Sequence, residues 1–188
     1  MRLKYFFIVL LIFVSSLFSC LPNPKPVDEE RDSFDRSSIK EYILSQPPSI
    51  QVPSKAIFGD QIAFLGYTVD REVKPGTRFK IKYYFKCLKP IDEDWQIFVH
   101  MDSWGGFEQR IHGDHYPVFG KYRTSNWRVG EIIVDEREVK VPSSYSAQKI
   151  AVYIGFYMGD TRMPISNTSE VEHDGQNRLR AGLITVNK

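Results

Sequence analysis

The chain is poor in cysteine. Of its 188 residues only Cys20 and Cys87 are cysteines, which excludes a disulfide framework and the multi-cysteine zinc sites of ribbons and fingers. Long hydrophobic runs are lacking too. The apolar stretch from Tyr5 to Val14 falls well short of the roughly 20 residues that a membrane-crossing helix needs. Neither sign of charge dominates: there are 25 basic and 23 acidic residues, and Arg2 and Lys4 lie in the acid-free first 19 positions, so 23 of each sign remain beyond them. A balanced chain has no basic footprint for phosphate backbones, and no nucleic-acid partner is expected. The sequence carries no G-x-S-x-G, no P-loop, no H-x-H or H-E-x-x-H and no EF-hand spacing of acids, the local signatures of several hydrolase, nucleotide and metal chemistries. It also has no internal repeat, and its low-complexity character is confined to a proline-spaced stretch near the N-terminus.

What is present begins with an address. Arg2 and Lys4, the apolar run and then Ser15-Ser16-Leu17-Phe18-Ser19-Cys20 have the order of an export signal over residues 1–19. Leu17-Phe18-Ser19-Cys20 resembles the bacterial lipobox, which implies a diacylated Cys20 at the mature N-terminus, with acyl chains of the palmitate type. Two or more such chains anchor stably, at about 0.8 kcal/mol per buried methylene. The expected protein is a lipoprotein of the bacterial cell envelope, on the outer membrane, attached to the bilayer through lipid without crossing it.

Residues 20–55 read as a tether. Pro22, Pro24 and Pro26, a charged stretch, and then Pro47-Pro48 and Pro53 leave little apolar surface to bury. One or two helical turns are expected at Ser38-Ile39-Lys40-Glu41-Tyr42-Ile43, with Ser38 and Glu41 spaced as a capping box. From residue 56 to 188 the period changes to two. Phe79, Ile81, Tyr83, Phe85 and Cys87 alternate with Lys80, Lys82, Tyr84 and Lys86, the pattern of a half-buried strand. The pattern predicts strands at 61–69, 77–88, 95–103, 107–113, 131–141, 149–158 and 178–186. With no helix between them, the expected fold is all-β, a single antiparallel β-sandwich of Greek-key or jelly-roll type.

Phe64-Leu65-Gly66-Tyr67, Val73-Lys74-Pro75-Gly76, Trp95-Gln96-Ile97-Phe98-Val99-His100, the run from Asp114-His115-Tyr116-Pro117 to Thr124, and Trp127-Arg128-Val129-Gly130-Glu131 through Asp135 occur in this order. Together, over roughly residues 58–186, they resemble the β-sandwich domain appended to some membrane-embedded bacterial glycosyltransferases of the dolichyl-phosphate-mannose type. The chain lacks the multi-pass catalytic region of those enzymes. The resemblance therefore implies an accessory sandwich rather than a transferase, and it carries no residue roles.

The segment Ile111-His112-Gly113-Asp114-His115-Tyr116-Pro117 concentrates polar chemistry. It follows a hairpin turn at Gly105-Gly106. A two-residue turn would oppose Met101 to Arg110 and Val99 to His112, wasting the core face. One further loop residue opposes Met101 to Ile111, Asp102 to Arg110 and His100 to His112, and this is the expected register. His100, His112, Asp114 and His115 then offer a possible set of zinc ligands. The commoner arrangement is stacked surface histidines, with Asp114 and His115 satisfying backbone in a turn, and no cofactor is expected. Calcium at Asp114, Asp135 or Asp160 has still less support.

No enzyme is expected. Ser143-Ser144 lacks a nucleophile-elbow context, Cys87 alternates with core residues as a buried thiol would, and Asp92-Glu93-Asp94 follows Lys89-Pro90 as a solvated turn. Binding has more support. Tyr84 lies in phase with lysines, Phe98 with His100 and Asp102, and Tyr153 and Tyr157 fall opposite the apolar phase of their strand. Rings bordered by polar groups suit the faces of sugars. Candidate ligand-binding residues are Phe98, Tyr153, Tyr157, Tyr84, Trp127, Asp114 and His115, although loop aromatics such as Trp104 and Trp127 also fold back over core ends in many sandwiches. The expectation is a non-catalytic accessory or glycan-binding module; the alternative is a module that meets envelope proteins.

Overall fold

A computed structural model describes residues 27–105 and 109–188. The expected export signal, Cys20 and the first three prolines lie outside the described residues, as does part of the 105–109 turn. Among the described residues eleven strands are formed: β1 (Ile43–Leu44), β2 (Val52–Pro53), β3 (Ile57–Phe58), β4 (Ile62–Val69), β5 (Arg78–Cys87), β6 (Gln96–Trp104), β7 (Arg110–His112), β8 (Ile132–Lys140), β9 (Lys149–Met158), β10 (Thr161–Arg162) and β11 (Leu179–Thr185), preceded by helix α1 (Val27–Ser33). All strand pairs are antiparallel. One sheet runs β1-β8-β5-β4-β2 with β3 also on β4; the other runs β10-β9-β6-β7 with β11 also on β9. The all-β antiparallel sandwich is as expected, and each long strand coincides with a predicted one to within a few residues.

Period-two patterning explains the core. On β5, Phe79, Ile81 and Tyr83 point inward while Arg78, Lys80 and Lys82 stay in water. On β9, Ile150, Val152, Ile154 and Phe156 do the same from the other sheet. Between the sheets Phe156 meets Phe58 and Phe85 edge-on, at centroid separations of 5.4 and 5.3 Å, and Phe85 also packs on Trp127 at 6.0 Å. Such pairs add about 0.5–1.5 kcal/mol each beyond area burial.

The expected tether is corrected from residue 27 onward. Arg31, 7% exposed, donates from Nη2 to the Ile91 carbonyl at 2.8 Å and from Nε to the Ser125 carbonyl at 2.9 Å. Arg36 donates to the Asn126 carbonyl at 2.9 Å. Ile39 is fully buried, Phe34 packs on Tyr122, β1 pairs with β8 and β2 with β4. Charges that suggested solvation are here donors to loop carbonyls, which is why composition misled. The predicted helical turn forms as a 3-10 turn over Ser37–Tyr42, but without the Ser38–Glu41 capping box. Asp35 instead accepts from the Ser37 amide and hydroxyl, both at 2.8 Å.

Candidate functional site

The hairpin has the expected register: His100 opposes His112, Met101 opposes Ile111 and Asp102 opposes Arg110. Met101 is buried, while Asp102 and Arg110 pair through two contacts on the outer face, Arg110 Nη2 to Asp102 Oδ2 at 2.9 Å and Nε to Oδ1 at 2.5 Å. The histidine rings stand edge to face, 5.3 Å apart.

Beyond the hairpin the polar segment divides. His115 turns into the protein. Its backbone bridges to Ile97 in both directions, its Nδ1–H donates to the Gly113 carbonyl at 2.5 Å, and Nε2 lies 2.6 Å from Asp135 Oδ2. Asp135, completely buried on β8, also accepts from the Val118 amide at 2.7 Å. The pair fastens the flank of β6 in one sheet to β8 in the other, so His115 is a structural residue and not a ligand-binding one. Val118 and Phe119 are held with φ of +52° and +57°, a region costly for a β-branched residue. The Asp135 bond to the Val118 amide stabilises that conformation.

His100 stays on the outer face. Arg178 Nη1 lies 3.2 Å from its Nδ1; a guanidinium only donates, so Nδ1 accepts and the neutral ring carries its proton on Nε2. Nε2 faces Asp114 at 3.6 Å, and Asp114 in turn accepts from the Val99 amide at 3.1 Å. Burial lowers the His100 pKa below its ordinary value; Asp114 opposes this, while Arg110, Arg178 and His112 add to it. The four residues considered for zinc are thus divided between core and surface, and a guanidinium occupies the lone pair of one of them. Among the described residues no three histidine, cysteine, aspartate or glutamate side chains gather as a metal-holding group.

Three aromatic candidates are withdrawn from solvent. Trp127 is fully buried, with its Nε1–H on the Tyr122 carbonyl at 3.1 Å. Tyr84, 5% exposed, has Gly66 and Val134 as cross-strand neighbours and reaches the Thr68 hydroxyl at 3.0 Å. Phe98, 2% exposed, lies across Gly155, where a Cβ would stand 2.4 Å from its ring, and the Arg162 guanidinium covers it at 5.2 Å.

Tyr153 and Tyr157 remain half-exposed on this face. Two clefts open on this face. One, of about 600 Å³, is lined by Asp102, Trp104, Gln109, Arg110, His112 and Tyr153 among others. The second, of about 430 Å³, includes Phe98, Asp114, Tyr157, Asp160, Arg162 and Asn177. Arginines from β10, β11 and the turn preceding β11 lie over the rings: Arg178 over Tyr153 at 4.4 Å and Arg180 over Trp104 at 4.8 Å, within cation–π range. Trp104 is 43% exposed, so it does not fold over the core end. It shares the phase of Phe98, His100 and Asp102, a signal that period two contained. Arg178 and Arg180 are likewise in phase on their strand.

The acidic run is a staple. Asp92 meets Arg31, and Asp94 accepts from the Ser125 hydroxyl at 2.6 Å and from Arg123 at 2.9 Å. Burial opposes ionisation of Asp94, but those bonds outweigh it and hold the carboxyl below its usual range. Cys87 is fully buried, and burial pushes its thiol up to about 11, away from a reactive thiolate. No helix among the described residues is long and apolar enough to cross a membrane. No protein-family model matches the chain and no curated protein matches it, so the likeness to glycosyltransferase-appended sandwiches rests on the motifs quoted above.

Proposed function

We propose that this chain is a lipid-anchored envelope protein whose sandwich is a non-catalytic glycan-binding module, with its site on the outer face of the β6–β9 sheet. The observation that carries the reading is the Trp104 cleft: an indole 43% exposed, with the half-exposed Tyr153 beside it under Arg178, in a depression of about 600 Å³ that also presents the Asp102 carboxylate, the Arg110 guanidinium and the Gln109 amide. Sugar rings stack their C–H faces on aromatic surfaces while carboxylates, amides and guanidinium groups bind their hydroxyls. The inert environment of Cys87 and the stapling role of Asp92 and Asp94 support a non-catalytic role. Binding of the purified protein to a broad glycan panel tests it. A saturable signal that survives high salt and falls in Trp104→Ala is the expected result; absence of any glycan signal rejects the reading.

A second reading, a module that meets other envelope proteins, draws on a different feature. Phe119 is 51% exposed in a left-handed backbone conformation, flanked by Tyr42 and Arg137, and Tyr116, three positions earlier, is 40% exposed.

A further inference from the structure

We infer that the glycan taken by this face is an extended, uncharged chain that occupies both clefts at once, an inference that rests on the glycan reading above and narrows its ligand class. The first ground is alignment. Both clefts are built on the same two strands: β6 contributes Trp104 and Asp102 to one and His100 to the other, and β9 contributes Tyr153 and Tyr157 respectively. Gln96 pairs with Tyr157 and His100 with Tyr153, so the rings succeed one another along the strand direction. Tyr157 lies level with Gln96, so at about 3.4 Å per residue the distance from it to Trp104 along β6 is about 27 Å, longer than a single sugar ring. Along β6 the residues between the two clefts offer hydrogen-bonding groups: His100, which lines the second cleft with Arg178 at its Nδ1, and then Asp102 in the first.

The second ground is charge. Arg110 pairs with Asp102, Arg178 with Asp174 at 2.6 Å, and Arg180 with Glu172. In the second cleft Asp114 and Asp160 stand beside Arg162. Guanidinium groups here are matched or outnumbered by carboxylates, so the face has no excess positive charge to attract uronate, sulfate or phosphate along a polymer. It presents many donors and acceptors at near-balanced charge, which complements hydroxyl groups.

Titration calorimetry of the full-length protein, solubilised in a detergent without a sugar headgroup, tests this. The probes are glucan, mannan, galactan and chitin oligosaccharides of two to eight sugars and a parallel uronate series. Affinity for a binding neutral series is expected to rise at least about tenfold from dimer to hexamer, with the uronates weaker. Tyr157→Ala is expected to weaken the hexamer about tenfold while leaving the dimer unchanged, and Trp104→Ala to weaken both. Asp160→Trp, a bulky substitution on an exposed turn of the second cleft, should reproduce the length-selective loss even where Tyr157→Ala does not fold. Length-independent affinity, a preference for uronates, or a hexamer that binds Asp160→Trp as it binds the parent overturns the inference and leaves glycan binding standing. Binding to no oligosaccharide of either series overturns both.

Discussion

At the scale of single residues, position in the sheet decides which of two chemically similar histidines is structural. His115 and His100 are both polar and near carboxylates, yet His115 closes the space between the sheets through Asp135, while His100 lies on the outer face beneath Arg178. Replacing Asp135 by alanine removes the acceptor from the buried Val118 amide and the partner from His115 Nε2 together. Breaking a buried pair of this kind costs about 3–5 kcal/mol, and Asp135→Ala is expected to show that loss in urea unfolding monitored by near-UV circular dichroism. A midpoint equal to the parent's contradicts the clamp. His100 makes a different prediction. Its folded pKa lies below the unfolded value of 6.5, so the unfolded chain binds more protons in the interval between them. The stability linked to this group is present above 6.5 and is lost as pH falls through the folded value. NMR titration should find the His100 midpoint below 6.5, and His100→Asn should flatten that part of the stability profile.

At the scale of elements, glycines and sparse apolar residues control what the strands and the N-terminal segment do. Gly155 lets Phe98 lie flat across β9; a Cβ there would stand 2.4 Å from Cζ and 2.7 Å from Cε1 of the ring. Gly155→Ala is expected to cost about 1–3 kcal/mol by overpacking. Most of that cost should vanish in a Phe98→Ala background, giving a large coupling term in a double-mutant cycle. Additive effects would show that the contact carries no energy. The segment before β1 invites the opposite kind of test, because it looks dispensable. Ile39 is fully buried, and Ile39→Ala should lose about 2–5 kcal/mol, whereas a residue in a free tether would change stability by less than about 0.5 kcal/mol.

At the scale of the whole molecule, the long strands assemble into two sheets, and the connections between β5 and β6, between β7 and β8 and between β8 and β9 carry the chain from one sheet to the other. The segment from His115 to Trp127 follows β7 and closes the flank between the sheets. Its Trp127 enters the core, and its 3-10 turn at Thr124–Asn126 receives α1. Only seven positions separate Cys20 from α1, about 25 Å even when fully extended; a protein acylated there would hold the α1 end of the sandwich close to its bilayer. Cys20→Ala is expected to abolish incorporation of an alkyne fatty acid in a metabolic labelling experiment. Equal labelling of mutant and parent would remove the lipid anchor from the account.

Much of the fold was legible in the sequence because alternation with period two is a local property: a strand that buries one face must repeat its apolar residues at every second position, and the seven long segments did. The hairpin register was legible for a related reason, since a slip of one residue would have turned Met101 and Ile111 away from the core. Tertiary structure decided what local pattern does not encode. Tyr84 and Phe98 stand in the outward phase, yet Tyr84 is buried with its hydroxyl on Thr68, and Phe98 lies in the space that Gly155 leaves on the neighbouring strand, under Arg162. Trp127 enters the core because the crossover that bears it spans the sandwich flank. Arg31 and Arg36 are charged in composition yet held down by carbonyls about 60 to 95 positions away along the chain. The site itself is the clearest case. Trp104, Tyr153 and Arg178 are in phase on three separate strands or their ends, and each strand's alternation could assign a face to its own residues, whereas only strand pairing brought those faces side by side as one cleft-bearing surface.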